Sequence, residues 1–562
     1  MIESAESIES GTVLKADLCI VGAGAAGISL ALAMRDSGLD VLLLEGGLEQ
    51  LDPSAQALME GEVADPALHS PPVFYRQRRL GGATAIWGGR CVPLDPLDFE
   101  AREAVPGSGW PIGYDEVARH YPAASRLCEA GQGSYSADSA LPTGTPPMFA
   151  GALGSGVTAE GLERFSCPTN FGTRYRARLA HARRVRLITG VNCTAVRLQG
   201  DGRAVKHLDL ATLDGRRLQA QARAVVLAVG GLETPRLLLA SNDVHREGLG
   251  NAHDVVGRYY MCHLAGSVGM LKLAGTTAAV RHGYERSDDG VFIRRRLALT
   301  AESQRRLGVA NMVARLHFPA VSDPDHGSSV LSGIFLSRRL LSHEYGRRVA
   351  NAQDGGLKQT LRHVGNVLRY PHDAAGFLSH WLLKHHVAPR RFPSVILKNR
   401  ANRFSLEINA EQRPLAESRV TLIQSTDALG MPQLKVDWRY HRADIDSVGR
   451  SLQQIGQSVA EAGLGEYTFD AARLEHDLTC FGAYGGHHIG TARMGADARS
   501  SVVDADCRVH GVENLWIASS AVFPTSGQAN PTLSIVALSL RLAEHLGPRL
   551  CGRPLDAVAA VL

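Results

Sequence analysis

Asp17-Leu18-Cys19-Ile20-Val21-Gly22-Ala23-Gly24-Ala25-Ala26-Gly27, followed by Val41-Leu42-Leu43-Leu44-Glu45, decides how this chain is read. The apolar run 18–21 predicts a buried parallel strand, the glycines open a helix over about 25–34, and 41–44 predicts a second buried strand ending in Glu45. Together these form a βαβ dinucleotide unit, with each residue type doing a separate job. Gly22 allows the tight turn, Gly24 lets a pyrophosphate reach bare backbone, and Gly27 permits close helix–strand packing. The free N–H groups and dipole at the helix N-terminus favour the phosphates. Glu45 can accept hydrogen bonds from both ribose hydroxyls, and its charge repels a 2′-phosphate. The unit alone does not separate FAD from NAD.

Bulk properties narrow the remaining choices. A chain of 562 residues has room for two to four domains' worth of core, and 44% hydrophobic with 21% charged residues is ordinary for a globular protein. A formal charge of +4 is small at this length and gives no reason to expect nucleic acid as a partner. Nine scattered cysteines, without a CxxC pair or metal-ligand spacing, read as reduced thiols with no metal centre. The N-terminal Met1-Ile2-Glu3-Ser4-Ala5-Glu6 is acidic and has no apolar core, so it does not resemble a secretory signal. No window reaches about 18 uninterrupted apolar residues. The expectation is a cytoplasmic protein.

Downstream, a polar stretch runs to about residue 78 and leads into Arg79-Leu80-Gly81-Gly82-Ala83-Thr84-Ala85-Ile86-Trp87-Gly88-Gly89. Four glycines around one Trp suit backbone packed against a flat object. Residues 93–99 and 110–114 read as turns before a short helix at about 115–128, and 130–180 reads as irregular lid structure. Strand patterns at 186–189 and 194–198 precede a hairpin turn at Asp214-Gly215. The buried strand 225–229 runs into Gly230-Gly231, with Thr234 expected as N-cap and Pro235 at the first position of a helix over 236–240. From 260 to 475 the strand patterns 309–316, 404–408, 419–423 and 433–438 predict an antiparallel sheet, hence a second domain.

That region is interrupted by a basic insert at about 338–400, carrying Arg338, Arg339, Arg347, Arg348, Lys358, Arg362, Arg369, Lys384, Arg390 and Arg391. Phe377, Leu378, Trp381, Leu382 and Leu383 suggest helices with one apolar face. The insert reads as a solvated face over the sheet, with an anionic-lipid or partner-docking surface as the alternative.

The C-terminal part carries the most specific signal: Gly485-Gly486-His487-His488-Ile489-Gly490-Thr491, then Asn514-Leu515-Trp516-Ile517-Ala518, then Gly527-Gln528-Ala529-Asn530-Pro531-Thr532. Residues 533–546 form an amphipathic helix, with Asn530 expected at its N-cap and Pro531 at its first position. Such a helix end places a positive dipole where a reducible ring gains negative charge.

On these residues the chain resembles the glucose–methanol–choline (GMC) oxidoreductases over essentially its full length. The matching pieces are the N-terminal unit, the Gly81-Gly82…Trp87-Gly88-Gly89 loop, the Gly230-Gly231-Leu232-Glu233-Thr234-Pro235-Arg236 turn and the C-terminal blocks. The resemblance is greatest to the bacterial branch related to pyranose oxidases and sugar or polyol dehydrogenases. It implies FAD, and a fold of α/β plus α+β class: a Rossmann-type FAD-binding domain interleaved with an antiparallel-sheet substrate domain. The implied division is 1–259 for the FAD domain, 260–475 for the substrate domain, and 476–562 completing the first domain and the active site.

The resemblance also implies the site. His487 and Asn530 take the positions of the catalytic pair: neutral His487 accepts the hydroxyl proton while hydride leaves the carbinol carbon for flavin N5, and Asn530 holds the substrate oxygen. Besides Gly22, Gly24, Gly27, Glu45, Gly81, Gly82, Trp87, Gly88, Gly89 and Gly230, the implied FAD contacts are Ala25, Ala26, Gly46, Thr84, Cys193, Ala518, Ser519, Asn530, Pro531 and Thr532. Gln528 and His488 are candidate substrate contacts, His488 also reading as structural. Members that bind FAD covalently carry a His where this chain has Ile86, whose alkyl group cannot form the bond, so noncovalent FAD is expected. The expected reaction is oxidation of an alcohol to a carbonyl on a sugar, glycoside or polyol. A bulky secondary alcohol as substrate, and a non-redox lyase that keeps FAD structurally, stay open. So does the electron acceptor: oxygen, a quinone or a protein carrier.

Overall fold

The structure is a computed structural model that describes the chain apart from residues 155, 276–279, 338–355, 384–387, 389, 394–396, 398–400, 481–485, 558–560 and 562. Gly485, and Arg338, Arg339, Arg347, Arg348 and Lys384 of the basic insert, lie outside the described residues.

The first sheet is built around the opening motif. Strand Val13–Val21 pairs in parallel with Val41–Glu45 on one side and with Arg217–Leu227 on the other. Val185–Thr189 and Ile2–Ser4 extend it in parallel beyond Val41–Glu45. Arg217–Leu227 pairs near its start with the antiparallel Val205–Ala211, which continues to Asn192–Leu198, and near its end in parallel with Leu515–Ile517. Strands covered on both faces need apolar residues throughout, and Val41–Glu45 is buried along its whole length. Helix Ala25–Met34 crosses between the first two parallel strands and is buried from Ala26 to its end. The long C-terminal helix Thr532–Cys551 packs against it.

A second, six-stranded antiparallel sheet runs Gly465–Thr468, Leu264–Leu273, Arg403–Ala410, Met312–His317, Leu297–Leu299, Val157–Thr158. Its core includes Leu264, Leu406, Ile408 and Leu316, with Leu452 and Ile455 from helix Arg442–Glu461. The expected strands 419–423 and 433–438 exist as Arg419–Thr426 and Pro432–Asp437, but they belong to a separate three-stranded sheet. Its third strand, Gly61–Val63, comes from the stretch read as polar connection.

Other expectations are corrected locally. Region 130–180 is not irregular throughout: strand Leu162–Phe165 enters a four-stranded sheet, and helix Phe171–His181 is capped by the Asn170 side chain. The single helix expected at 115–128 is two, Tyr114–Ala118 and Tyr121–Leu127, because Pro122 can start a helix but not continue one. The helix after Gly230 starts at that glycine and runs Gly230–Ala240, with Pro235 inside it and Thr234 Oγ1 donating to the Gly230 carbonyl. The final helix starts at Thr532 with Pro531 at the cap, one residue later than read, so Asn530 is released from capping.

Candidate active site

A single cavity of about 1040 Å³ runs from the glycine turn of the first sheet to the C-terminal histidines. Its walls include Gly22, Gly24, Ala25, Ala26, Glu45 and Gly46 at one end and His487, Asn530, Pro531 and Thr532 at the other. Between them lie Gly82, Thr84, Trp87, Gly88, Gly89, Cys193, Gly230, Ala518 and Ser519. Almost all the residues singled out from sequence are therefore brought to one cavity.

Three are not. Gly27 lies behind the wall, where a Cβ would stand 1.9 Å from the Gly22 carbonyl oxygen; that close approach fixes helix against strand. Gly81 shapes the adjoining turn at φ +93°. Gln528 is buried away from the cavity with its amide on Asp95, so the structure does not support it as a substrate contact.

Glu45 has a further duty at the glycine end. Its carboxylate accepts the N–H groups of Ala23 and Gly47, each at 2.9 Å, locking both turns at the ends of their strands. Burial pushes this carboxyl above its ordinary range, and the Gly47 and Ala23 N–H groups oppose that shift. Gly82 closes over the same turn, where a Cβ would lie 3.2 Å from the Gly24 Cα. Asn192 Nδ2 and Gln77 Oε1 are buried along the cavity with no hydrogen-bond partner among the described residues. Backbone stripped of side chains, a helix N-terminus and orphaned amide groups suit a long ligand with phosphates and ring heteroatoms.

At the opposite end, three side chains form a chain of contacts. His263, from the loop before Leu264–Leu273, places Nδ1 2.8 Å from His487 Nδ1 and Nε2 3.1 Å from the Gly527 carbonyl. His487 Nε2 stands 3.0 Å from Asn530 Nδ2. A carbonyl only accepts, so His263 Nε2 carries the hydrogen and its Nδ1 is a lone pair. His487 must then donate from Nδ1, which leaves its Nε2 as a lone pair beside Asn530 and the cavity. Asn530 Oδ1 is buried without a partner among the described residues. Desolvation, then His263 and Arg90, hold the His487 conjugate acid well below the ordinary imidazole range. Burial likewise brings His263 down to about 4. Both rings are neutral at physiological pH.

The supporting backbone is fixed from several sides. Ile489 and Met261 exchange backbone hydrogen bonds, Thr491 Oγ1 donates to the Gly231 carbonyl at 2.6 Å, and Ser520 Oγ to that of His488 at 2.6 Å. Thr525 Oγ1 bonds the Asp98 carbonyl and accepts from Trp110 Nε1, anchoring the segment that ends in Asn530. His488 stacks on Tyr260, ring centroids 6.0 Å apart, and Tyr260 donates to His69. It borders the cavity as wall, its ring against those of Tyr260 and His69.

Sequence reasoning missed His263 and the meaning of Glu233. A lone His before a strand carries no local signal, and its role depends on a partner 224 positions away. Glu233 is held by Arg76 (2.8 Å), Arg78 (3.0 Å) and Arg236 (3.3 Å), while Arg236 also pairs with Asp427 at 2.7 Å. The glutamate and arginine of the Gly230–Arg236 turn thus tie the first sheet to the three-stranded sheet.

Residues 414–539 match the family model described as GMC oxidoreductase. Over 95% of both chains, the protein is 23% identical to 2-methyl-1,2-propanediol dehydrogenase of Mycolicibacterium austroafricanum. It is 25% identical to paromamine 6'-oxidase of Streptomyces fradiae, covering 96% of this chain and 92% of that one. The fructose dehydrogenase large subunit of Gluconobacter japonicus is 23% identical, over 96% and 98% of the two chains. Among solved structures, pyridoxine 4-oxidase from Mesorbium loti superposes with a TM-score of 0.53 at 18% identity, covering 94% of this chain and 98% of that one.

Proposed function

We propose that the chain is an oxidoreductase of the GMC family, whose members are FAD flavoproteins, and that it oxidises a sugar, glycoside or polyol alcohol to a carbonyl. The observation that carries this reading is the His263–His487–Asn530 chain at one end of a cavity whose other end is the glycine turn. The parallel sheet with Gly22, Gly24 and the N-terminus of Ala25–Met34 is the Rossmann-type part that would take the pyrophosphate, with Glu45 toward the ribose. Gly82, Thr84, Trp87, Gly88, Gly89 and the start of Thr532–Cys551 would hold the ring system. The six-stranded sheet is the substrate domain. When bound, FAD supplies the two-electron acceptor for hydride from the carbinol carbon.

The protein's own residues do the rest. A substrate hydroxyl takes the place of Asn530 Nδ2 at the His487 Nε2 lone pair, and the proton moves to that nitrogen as the C–H bond breaks. Asn530 Oδ1 and Nδ2 hold the neighbouring oxygen atoms and orient the C–H bond. His263 is a positioning residue: its lone pair keeps the His487 hydrogen on Nδ1 and so keeps Nε2 basic. Relatives named for 2-methyl-1,2-propanediol, paromamine and fructose support a polyhydroxylated substrate here. Nine cysteines without a disulfide support a cytoplasmic setting.

Two results test the details. His263→Leu should slow flavin reduction on the order of tenfold or more, the worth of one lost hydrogen bond in a buried site. His263→Gln, whose amide oxygen still accepts, should recover much of it. Imidazole ¹⁵N shifts of His487 should report Nδ1–H in the wild type and a mixture of tautomers in His263→Leu; equal spectra would remove the positioning role. Ile86 borders the cavity, and with no nucleophile at that position acid precipitation should release all flavin to the supernatant. Yellow colour retained in the washed pellet would show a covalent bond.

A further inference from the structure

We propose that the helices Gly356–Arg369 and Pro371–Leu382 dock this protein, lying in plane, on an anionic lipid bilayer surface. Helix Gly356–Arg369 is inverted relative to an ordinary surface helix. Its polar residues face the protein: Gln359 Nε2 donates to the Ser322 carbonyl, Asn366 Nδ2 to the Pro324 carbonyl at 2.8 Å, and buried His363 has Nδ1 3.0 Å from Ser332 Oγ. Its leucines face out, with Leu357 76%, Leu361 60% and Leu368 75% exposed, and Val364 on the same side. The next helix also exposes Leu378, Trp381 and Leu382, with exposed Leu383 just beyond. A surface helix normally buries its apolar stripe, and a contiguous exposed one marks a contact.

Charge selects the occupant. Residues 338–400 hold twelve Lys and Arg against three Asp and Glu, a surplus larger than the +4 of the whole chain, so the remainder is net negative. On helix Gly356–Arg369 itself Lys358, Arg362 and Arg369 each follow an outward leucine, and cations flanking an apolar stripe match an apolar layer lying beneath anionic headgroups. The helices, 14 and 12 residues long, are too short to span a bilayer, for which about 20 are needed. Among the described residues no helix is long and apolar enough to cross one. The pair packs on helix Ser329–Leu336, which contributes Leu331 to the cavity wall, so docking holds the cavity beside the bilayer.

The test is co-sedimentation of the full-length holoenzyme with phosphatidylcholine vesicles, with and without about 30% phosphatidylglycerol. The protein should pellet with the anionic vesicles, bind the neutral ones far more weakly, and be released by high salt. The combined variant Leu361→Glu, Leu368→Glu, Leu378→Glu should bind about a hundredfold more weakly while keeping its melting temperature and flavin reduction rate. Equal binding to both vesicles, no binding to either, or binding unchanged in the variant would overturn the proposal. A lowered melting temperature in the variant would overturn it too, by showing that the leucines are covered within the chain. A wild-type dimer that the variant dissolves would make a second copy the occupant instead.

Discussion

His487→Ala is expected to slow anaerobic flavin reduction about 10²–10⁴-fold, the usual contribution of a positioned general base, while FAD content and melting temperature stay near wild type. The side chain lies at the cavity wall, and its neighbours His263 and Asn530 are anchored independently through the Gly527 carbonyl and the segment from Thr525. Because burial, His263 and Arg90 keep the His487 conjugate acid well below its ordinary range, the base is already free at neutral pH. The wild-type reduction rate should therefore stay flat from pH 8 through 6.5 and fall only at lower pH. Asn530→Ala should cost less, since the base survives. His488→Ala loses a stacked ring and some stability, yet the folded fraction should reduce flavin within a few-fold of wild type. A crippled His488→Ala beside a near-normal His487→Ala would move the base by one residue.

The largest stability effect is expected at Glu233. Burial alone would raise this carboxyl, but Arg236, Arg78 and Arg76 outweigh it and hold it at about 2. Glu233→Gln leaves three guanidinium groups with their shared anion neutralised, and breaking such a buried pair costs about 3–5 kcal/mol. Chemical denaturation should show that loss, with weaker FAD retention because Glu233 and Arg76 border the cavity. The pH dependence has a fixed sign. A carboxyl lowered in the folded state stabilises fully above its unfolded value of 4.5, and that share, about 3 kcal/mol, is lost as pH falls toward 2. The variant should therefore lose this part of the acid dependence. An unchanged denaturation midpoint would mean that the arginines find other partners.

The sequence was most legible where local chemistry and tertiary packing agree. Helix Ala25–Met34 lies where the glycines, buried strands and acid place it, because each of those residues has one physical use there. His487 and Asn530, 43 positions apart in sequence, stand 3.0 Å from each other. Reading failed where partners are distant. Gly61–Val63 has no strand pattern of its own and becomes a strand only because Pro432–Asp437 lies beside it. Pro235 looked like a helix start, yet it is the sixth residue of the helix, and the Gly231 carbonyl that it leaves without an N–H accepts from Thr491 Oγ1 instead. His263 gains its role only because strand Leu264–Leu273 of the second sheet carries it to the His487 ring and the Gly527 carbonyl. Asn530 reads as a cap from sequence, and the one-residue shift of the final helix turns its amide to the cavity instead.

Anaerobic titration of the purified yellow protein with a panel of polyols, sugars and glycosides, followed by flavin absorbance, tests the central claim most directly. The account predicts that at least one polyhydroxylated alcohol bleaches the oxidised flavin bands and yields a stoichiometric carbonyl product, with His487→Ala bleaching far more slowly on the same compound. Flavin that no alcohol bleaches, in a protein that nevertheless cleaves a hydroxylated substrate without reducing it, would contradict the account and make the chain a lyase that keeps FAD structurally.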